Sequence, residues 1–193
     1  MSELLDLHGQ AMKEFDRRVR AVGPAQWAEP TPCTEWDVHD LVEHLVREQL
    51  WVPFLLEGGT IEGAGGRFDG DAMGEEPVAT WELAAREART AWLRPGSLES
   101  TVHLSFGDAP GSLYLWQMTF DLAVHAWDLA RAIGADERLD PSLVRALLES
   151  EQISDDLDAA REQGGMGMFA PARPVPEGAD DQTGLLARTG RAA

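Results

Sequence analysis

The sequence predicts an all-α protein, a four-helix up-and-down bundle with one additional helix and an irregular C-terminal tail. Two observations carry this expectation. Four segments place apolar side chains at steps of three and four, and strand signal is confined to one short stretch. The 193 residues, 44% hydrophobic and 26% charged, suit one helical domain spanning 1–193 with a substantial core.

The first helix starts from Ser2 as N-cap and carries Leu4, Leu5, His8, Met12, Phe15, Val19 and Val22 on one stripe before Gly23-Pro24 ends it. Pro30 and Pro32 hold the next stretch extended. A second helix is expected from Thr34, whose hydroxyl stands three residues before Asp37 in a near capping box, with Val38, Leu41, Val42, Leu45 and Val46 inward. Residues 57–76 contain seven glycines, many acids and few large apolar groups, and read as a mobile loop over one end of the domain, a candidate lid. The third helix runs from about Pro77 to Arg94 with Trp81, Ala84, Ala85, Ala88 and Trp92 in register. Alternation of Val102, Leu104 and Phe106 with Thr101, His103 and Ser105 marks a short extended segment, and Gly107 to Gly111 reads as a turn. The longest helix is expected from Ser112 to Ile133, with Trp116 and Phe120 in the core, closed by Gly134. Asp140-Pro141 starts another, with Val144, Leu147 and Leu148 apolar. After Gln163 the composition turns to Gly, Pro and Ala, which predicts an irregular tail packed back across the bundle.

Sixteen basic against thirty-four acidic side chains give a net charge of −18, a surface that repels phosphate backbones and anionic lipid. Nucleic acid and membrane partners are therefore disfavoured. The apolar run around Leu50 to Leu56 is far shorter than the roughly 20 residues of a membrane span and includes Pro53. The acidic start Met-Ser-Glu, without a basic region, predicts no signal peptide, and the single Cys33 suits a reducing compartment. A cytoplasmic protein is the expectation.

Five histidines are the first candidates for chemistry. His8 on the first stripe reads as a hydrogen-bonded core or boundary side chain, and His103 as solvent-facing. His39 and His44 lie about 140° apart around a helix and form no local pair. His44, in the apolar run Asp-Leu-Val-Glu-His-Leu-Val, needs a partner if buried. His125 has Asp121 one turn before it and Asp128 about one turn after, and Gln117 extends the same row. Such a row inside an apolar helix calls for hydrogen-bonding partners or a cation. One reading makes Asp121 and His125, with His44 from a facing helix, three ligands of a metal with open positions. The other makes Asp121 and His125 a surface pair, or Asp128 the carboxylate that orients a core histidine. Cys33 precedes a helix N-terminus, where a thiol can act as a nucleophile, but no adjacent base stands in the local sequence and it reads as a packing residue, as do Trp36 and Trp127.

The wording of two motifs separates these readings. Thr31-Pro-Cys-Thr-Glu-Trp36-Asp-Val-His-Asp-Leu-Val-Glu-His44 resembles the first signature of the actinobacterial maleylpyruvate isomerase N-terminal-like proteins of the DinB-like superfamily, and Asp121-Leu-Ala-Val-His125-Ala-Trp127-Asp128 through Gly134 resembles their second. The ending from Gly167-Met-Phe169-Ala-Pro171 to Gly190-Arg191 is similar to that of the short family members. The resemblance implies a four-helix bundle holding a divalent metal, zinc or alternatively nickel, on His44, Asp121 and His125; the family's typical isomerase carries glutamate where Asp121 stands. It also implies mycothiol as cosubstrate. The expected function is thus metal-dependent transfer of a small-molecule thiol to, or thiol-assisted isomerisation of, a small electrophile, with a non-catalytic metal- or ligand-binding bundle as the alternative.

Overall fold

The computed structural model describes residues 2–150 and 170–192. In chain order the elements are α1 (Glu3–Val19), α2 (Val38–Leu56), α3 (Ile61–Ala64), α4 (Pro77–Trp92), β1 (Thr101–Leu104), β2 (Gly107–Pro110), α5 (Gly111–Ile133), α6 (Pro141–Glu149) and α7 (Asp181–Arg188). The expected all-α bundle forms from α1, α2, α4 and α5. The closest packing joins α1 to α5 and α2 to α4, with α1 also against α4 and α2 against α5. Sequence-adjacent α1 and α2 therefore sit across the bundle from each other, and α5 lies beside α2 where the candidate residues are.

The predicted stripes are the observed core. Phe15, Val19, Leu41 and Leu45 are fully buried, Phe120 nearly so, and Trp116 is half-buried at the rim. Phe15 meets Trp81 edge-on, ring centroids 4.7 Å apart. Gly134 ends α5 in the left-handed conformation (φ 69°), as its lack of a Cβ allows. Asp140 caps α6 by accepting from the backbone N–H groups of Ser142 and Leu143.

Four boundaries differ from expectation, each for a local reason. Helix α2 begins at Val38, one turn later than Thr34, because the capping box forms between Asp37 and Asp40 while Glu35 takes a left-handed φ of 72° that no helix continues. Gly107 to Pro110 is a strand, pairing antiparallel with β1 (Thr101 opposite Pro110, Leu104 opposite Gly107), so the turn falls at Ser105-Phe106. The 57–76 segment is packed down: Met73 is fully buried, and Phe68 lies on Trp51 with ring centroids 4.2 Å apart. The tail contains α7, capped by Asp180, which rests on α6 and buries Leu185 and Leu186. The Gly167, Met168 and Phe169 stretch lies outside the described residues. No helix among the described residues is long and apolar enough to cross a membrane.

Candidate functional site

The loop that leads into α2 is built to lie over α5. The Thr31 hydroxyl donates to the Trp36 carbonyl (2.9 Å), and Pro30 pairs with Asp37 as an isolated bridge. This folds Cys33 and Trp36 inward, over the first turns of α2 and the middle of α5. The Asp37–Asp40 box then fixes the register of α2, which turns His44 toward α5.

His44, Asp121 and His125 converge. His44 Nε2 lies 3.1 Å from Asp121 Oδ2, and His125 Nε2 lies 3.2 Å from Asp121 Oδ1. One ligand-type atom from each of the three falls within 4.8 Å of the others. The imidazole rings stand nearly perpendicular, 5.3 Å apart, with Trp36 tilted against both at 5.0 Å from His44 and 5.9 Å from His125. Asp121 and His125 are buried and His44 keeps 16% of its side chain exposed, so the group is reached from the His44 side.

Behind His125 stands a second layer. Its Nδ1 donates to Asp128 Oδ2 at 2.9 Å. Asp128, fully buried, also receives Arg191 in a forked pair, Nε to Oδ1 at 3.0 Å and Nη2 to Oδ2 at 2.6 Å. The Cys33 thiol donates to Asp128 Oδ2 (3.3 Å), sits 3.7 Å from His125 Nδ1 and accepts from Arg191 Nη2 at 3.4 Å. Cys33, His125 and Asp128 are themselves close enough to form a donor set. The Arg191 guanidinium, in contact with both Asp128 oxygens, already neutralises that carboxylate and would repel a cation placed there.

The charges are strongly coupled. Burial pushes the Asp121 carboxyl up, but His125 and His44 overcome it and hold Asp121 well below the ordinary range. Burial likewise lowers His125, yet Asp121, Asp128 and Cys33 raise it well above the usual imidazole value. Burial raises Asp128 while its hydrogen bonds from His125 and Arg191 bring it below the usual carboxylate range. Glu48, one turn beyond His44, is raised, first by desolvation, with Asp121 adding to the shift and His44 and His125 opposing it.

Two cavities flank the cluster. One of about 470 Å3 opens beside His44, lined also by Glu35, Trp36, Asp40, Glu43 and Arg47. The 57–76 segment borders it: Arg47 donates to the Gly70 carbonyl (2.8 Å) and Ala72 N–H to Glu43 (2.9 Å). The other, about 620 Å3, lies behind Cys33 and Trp36 toward Arg131, Arg173 and Arg191.

Other expectations resolve simply. His8 is a fully buried core side chain whose Nδ1 accepts from Arg89 at 3.1 Å. His103 is partly exposed and pairs with Asp108 at 2.7 Å. His39 meets Trp27, away from His44. Trp127 is core, with Arg131 stacked 4.5 Å over its ring. Cys33 and Trp36 do more than pack, since both line cavities and touch the histidine rings or their partners. Sequence reasoning missed Glu48, whose signal was its four-residue spacing from His44, and the link from Arg191 to Asp128, which has no local signal.

The sequence profile of the mycothiol maleylpyruvate isomerase N-terminal domain matches residues 8–130. Uncharacterized proteins from two strains of Mycobacterium tuberculosis are 31% identical over 191 residues, 95% of this chain and 97% of theirs. In fold, the chain is similar to a crystal structure of a mycothiol-dependent maleylpyruvate isomerase (TM-score 0.64, 17% identity, 84% of this chain and 72% of that one) and to that of a histidine-to-alanine mutant (TM-score 0.65, 16% identity, the same coverage).

Proposed function

Because this chain belongs to the mycothiol maleylpyruvate isomerase N-terminal domain family, we propose that it holds a divalent cation, zinc or nickel, on His44, Asp121 and His125 and uses it to act on a small-molecule thiol, mycothiol, and a small electrophile. The observation that carries the reading is the donor set: two imidazole nitrogens face one buried carboxylate within 4.8 Å, and Asp128 accepts the hydrogen bond from Nδ1–H of His125, which leaves Nε2 as the face turned to Asp121. Two nitrogens and one carboxylate suit zinc and leave a position for an exogenous ligand.

When bound, such a cation stabilises thiolate over thiol at neutral pH. The chain's own residues do the rest. Asp121 supplies the negative charge, and the Asp128–Arg191 pair sits behind His125 without adding net charge. Trp36 lies against both imidazole rings, while the cleft beside His44 admits a ligand from solvent.

The test is thiol conjugation with mycothiol and a panel of electrophiles, run on the parent, Cys33→Ser and His44→Ala proteins. Turnover that survives in Cys33→Ser and is lost in His44→Ala is expected. The reverse pattern would move the chemistry to Cys33, and bound metal without turnover across the panel would assign the bundle to metal or ligand binding without catalysis.

A further inference from the structure

The chain end is built with unusual local care for a segment next to a Gly- and Pro-rich stretch. Helix α7 closes in a Schellman turn: Gly190 N–H donates to the Ala187 carbonyl (3.1 Å) and Arg191 N–H to the Leu186 carbonyl (3.0 Å). Gly190 has φ 79°, and a Cβ added there would stand 2.5 Å from the Ala170 Cβ and 2.9 Å from its backbone, so only glycine fits both the turn and the contact. The turn aims Arg191 inward. Its guanidinium is anchored by Nη1 on the Thr189 carbonyl (2.9 Å) and forks onto Asp128 from 63 residues away in sequence. The side chain is 6% exposed.

We propose that Arg191 is a positioning residue for His125: through the fork on Asp128 it locks the carboxylate that orients the imidazole, so the C-terminal turn completes the metal-binding site. The inference rests on the proposed metal reading. An aspartate on a helix can rotate about χ1 and χ2, and the bonds from His125 and the Cys33 thiol both fall on Oδ2, which leaves Oδ1 unheld by either. Two bonds from a planar guanidinium fix the group, because the fork matches both carboxylate oxygens at once. Asp128 Oδ2 is then held where Nδ1–H of His125 must meet it, and the ring presents Nε2 toward Asp121 and His44. A lysine at this position could neutralise Asp128 but could not hold both oxygens.

The experiment measures zinc affinity by chelator competition, with the cobalt-substituted absorption spectrum recorded alongside, on the untagged parent, Arg191→Ala and Arg191→Lys. Circular dichroism checks that each variant is folded. Removal of a partner behind a metal-bound histidine weakens metal binding by roughly 10- to 100-fold. Arg191→Ala removes the support of that partner and not the partner itself, so a loss of up to that size is expected for it, with a smaller loss for Arg191→Lys and a changed cobalt spectrum in both. If the alanine variant does not fold, the lysine variant decides alone. A folded variant with the parent's affinity and spectrum overturns the proposal and leaves the metal reading standing. A parent that takes up neither ion overturns both.

Discussion

His8 makes the metal-free protein sensitive to acid in a way that can be calculated. The ring is fully buried on α1 against Trp92, with Arg89 donating to Nδ1. Desolvation, and then the Arg89 charge, lower it from 6.5 to about 3. Above pH 6.5 the folded and unfolded chains both carry neutral imidazole, and the group contributes nothing to the pH dependence. Below that, the unfolded chain takes up a proton that the folded chain refuses. Stability falls as pH drops, by at most about 1.4 kcal/mol per unit, and the loss is complete near pH 3 at roughly 5 kcal/mol. In His8→Leu this dependence disappears, although the variant leaves Arg89 without its acceptor and starts from a lower stability. Urea unfolding at half-unit steps from pH 7 to pH 4 measures both proteins. The parent's advantage over His8→Leu should shrink as pH falls and then reverse. Two curves that stay parallel across that range would refute the argument, and would mean that His8 is protonated in the fold.

Two further outcomes follow from burial and charge. Met73→Ala, at a fully buried side chain that pins the 57–76 segment, should cost about 2–5 kcal/mol and speed amide exchange at Ala72 and Gly74; a loss under about 0.5 kcal/mol would mean the segment is not anchored there. Burial lowers His125 but Asp121 raises it above the usual imidazole value, so the metal-free ring keeps its proton to higher pH than a free imidazole, and a cation must expel that proton. Zinc affinity should therefore rise with pH by about tenfold per unit below the raised value. Calorimetry in buffers of different ionisation enthalpy should show release of about one proton, and no buffer dependence would contradict it.

Much of this site was legible because its information is local. The three-four spacing of Leu41, Leu45, Phe15 and Phe120 gave the bundle, and Asp121 and His125 share a helix face by their spacing alone. His44 could be matched to them because a histidine in an apolar run must find a buried partner. The start of α2 misled because Thr34 and Asp37 have the spacing of a cap, and only the left-handed Glu35 shows that the chain turns before the helix begins. Helix α7 was hidden by Gly184 and the Pro-rich residues before it, and it is held by burial of Leu185 and Leu186 rather than by propensity. The Arg191–Asp128 pair spans 63 residues and depends on a turn that only Gly190 permits, so no window of sequence contains it.

X-ray absorption on the zinc-loaded, untagged protein tests the central claim most directly. With His44, Asp121 and His125 as ligands, the first shell should contain only nitrogen and oxygen at roughly 2.0–2.2 Å, with the outer-shell scattering of two imidazole rings, at one zinc per chain. A sulfur shell near 2.3 Å would place the ion on Cys33 instead. That result, or a protein that retains no zinc after dialysis, would contradict the account.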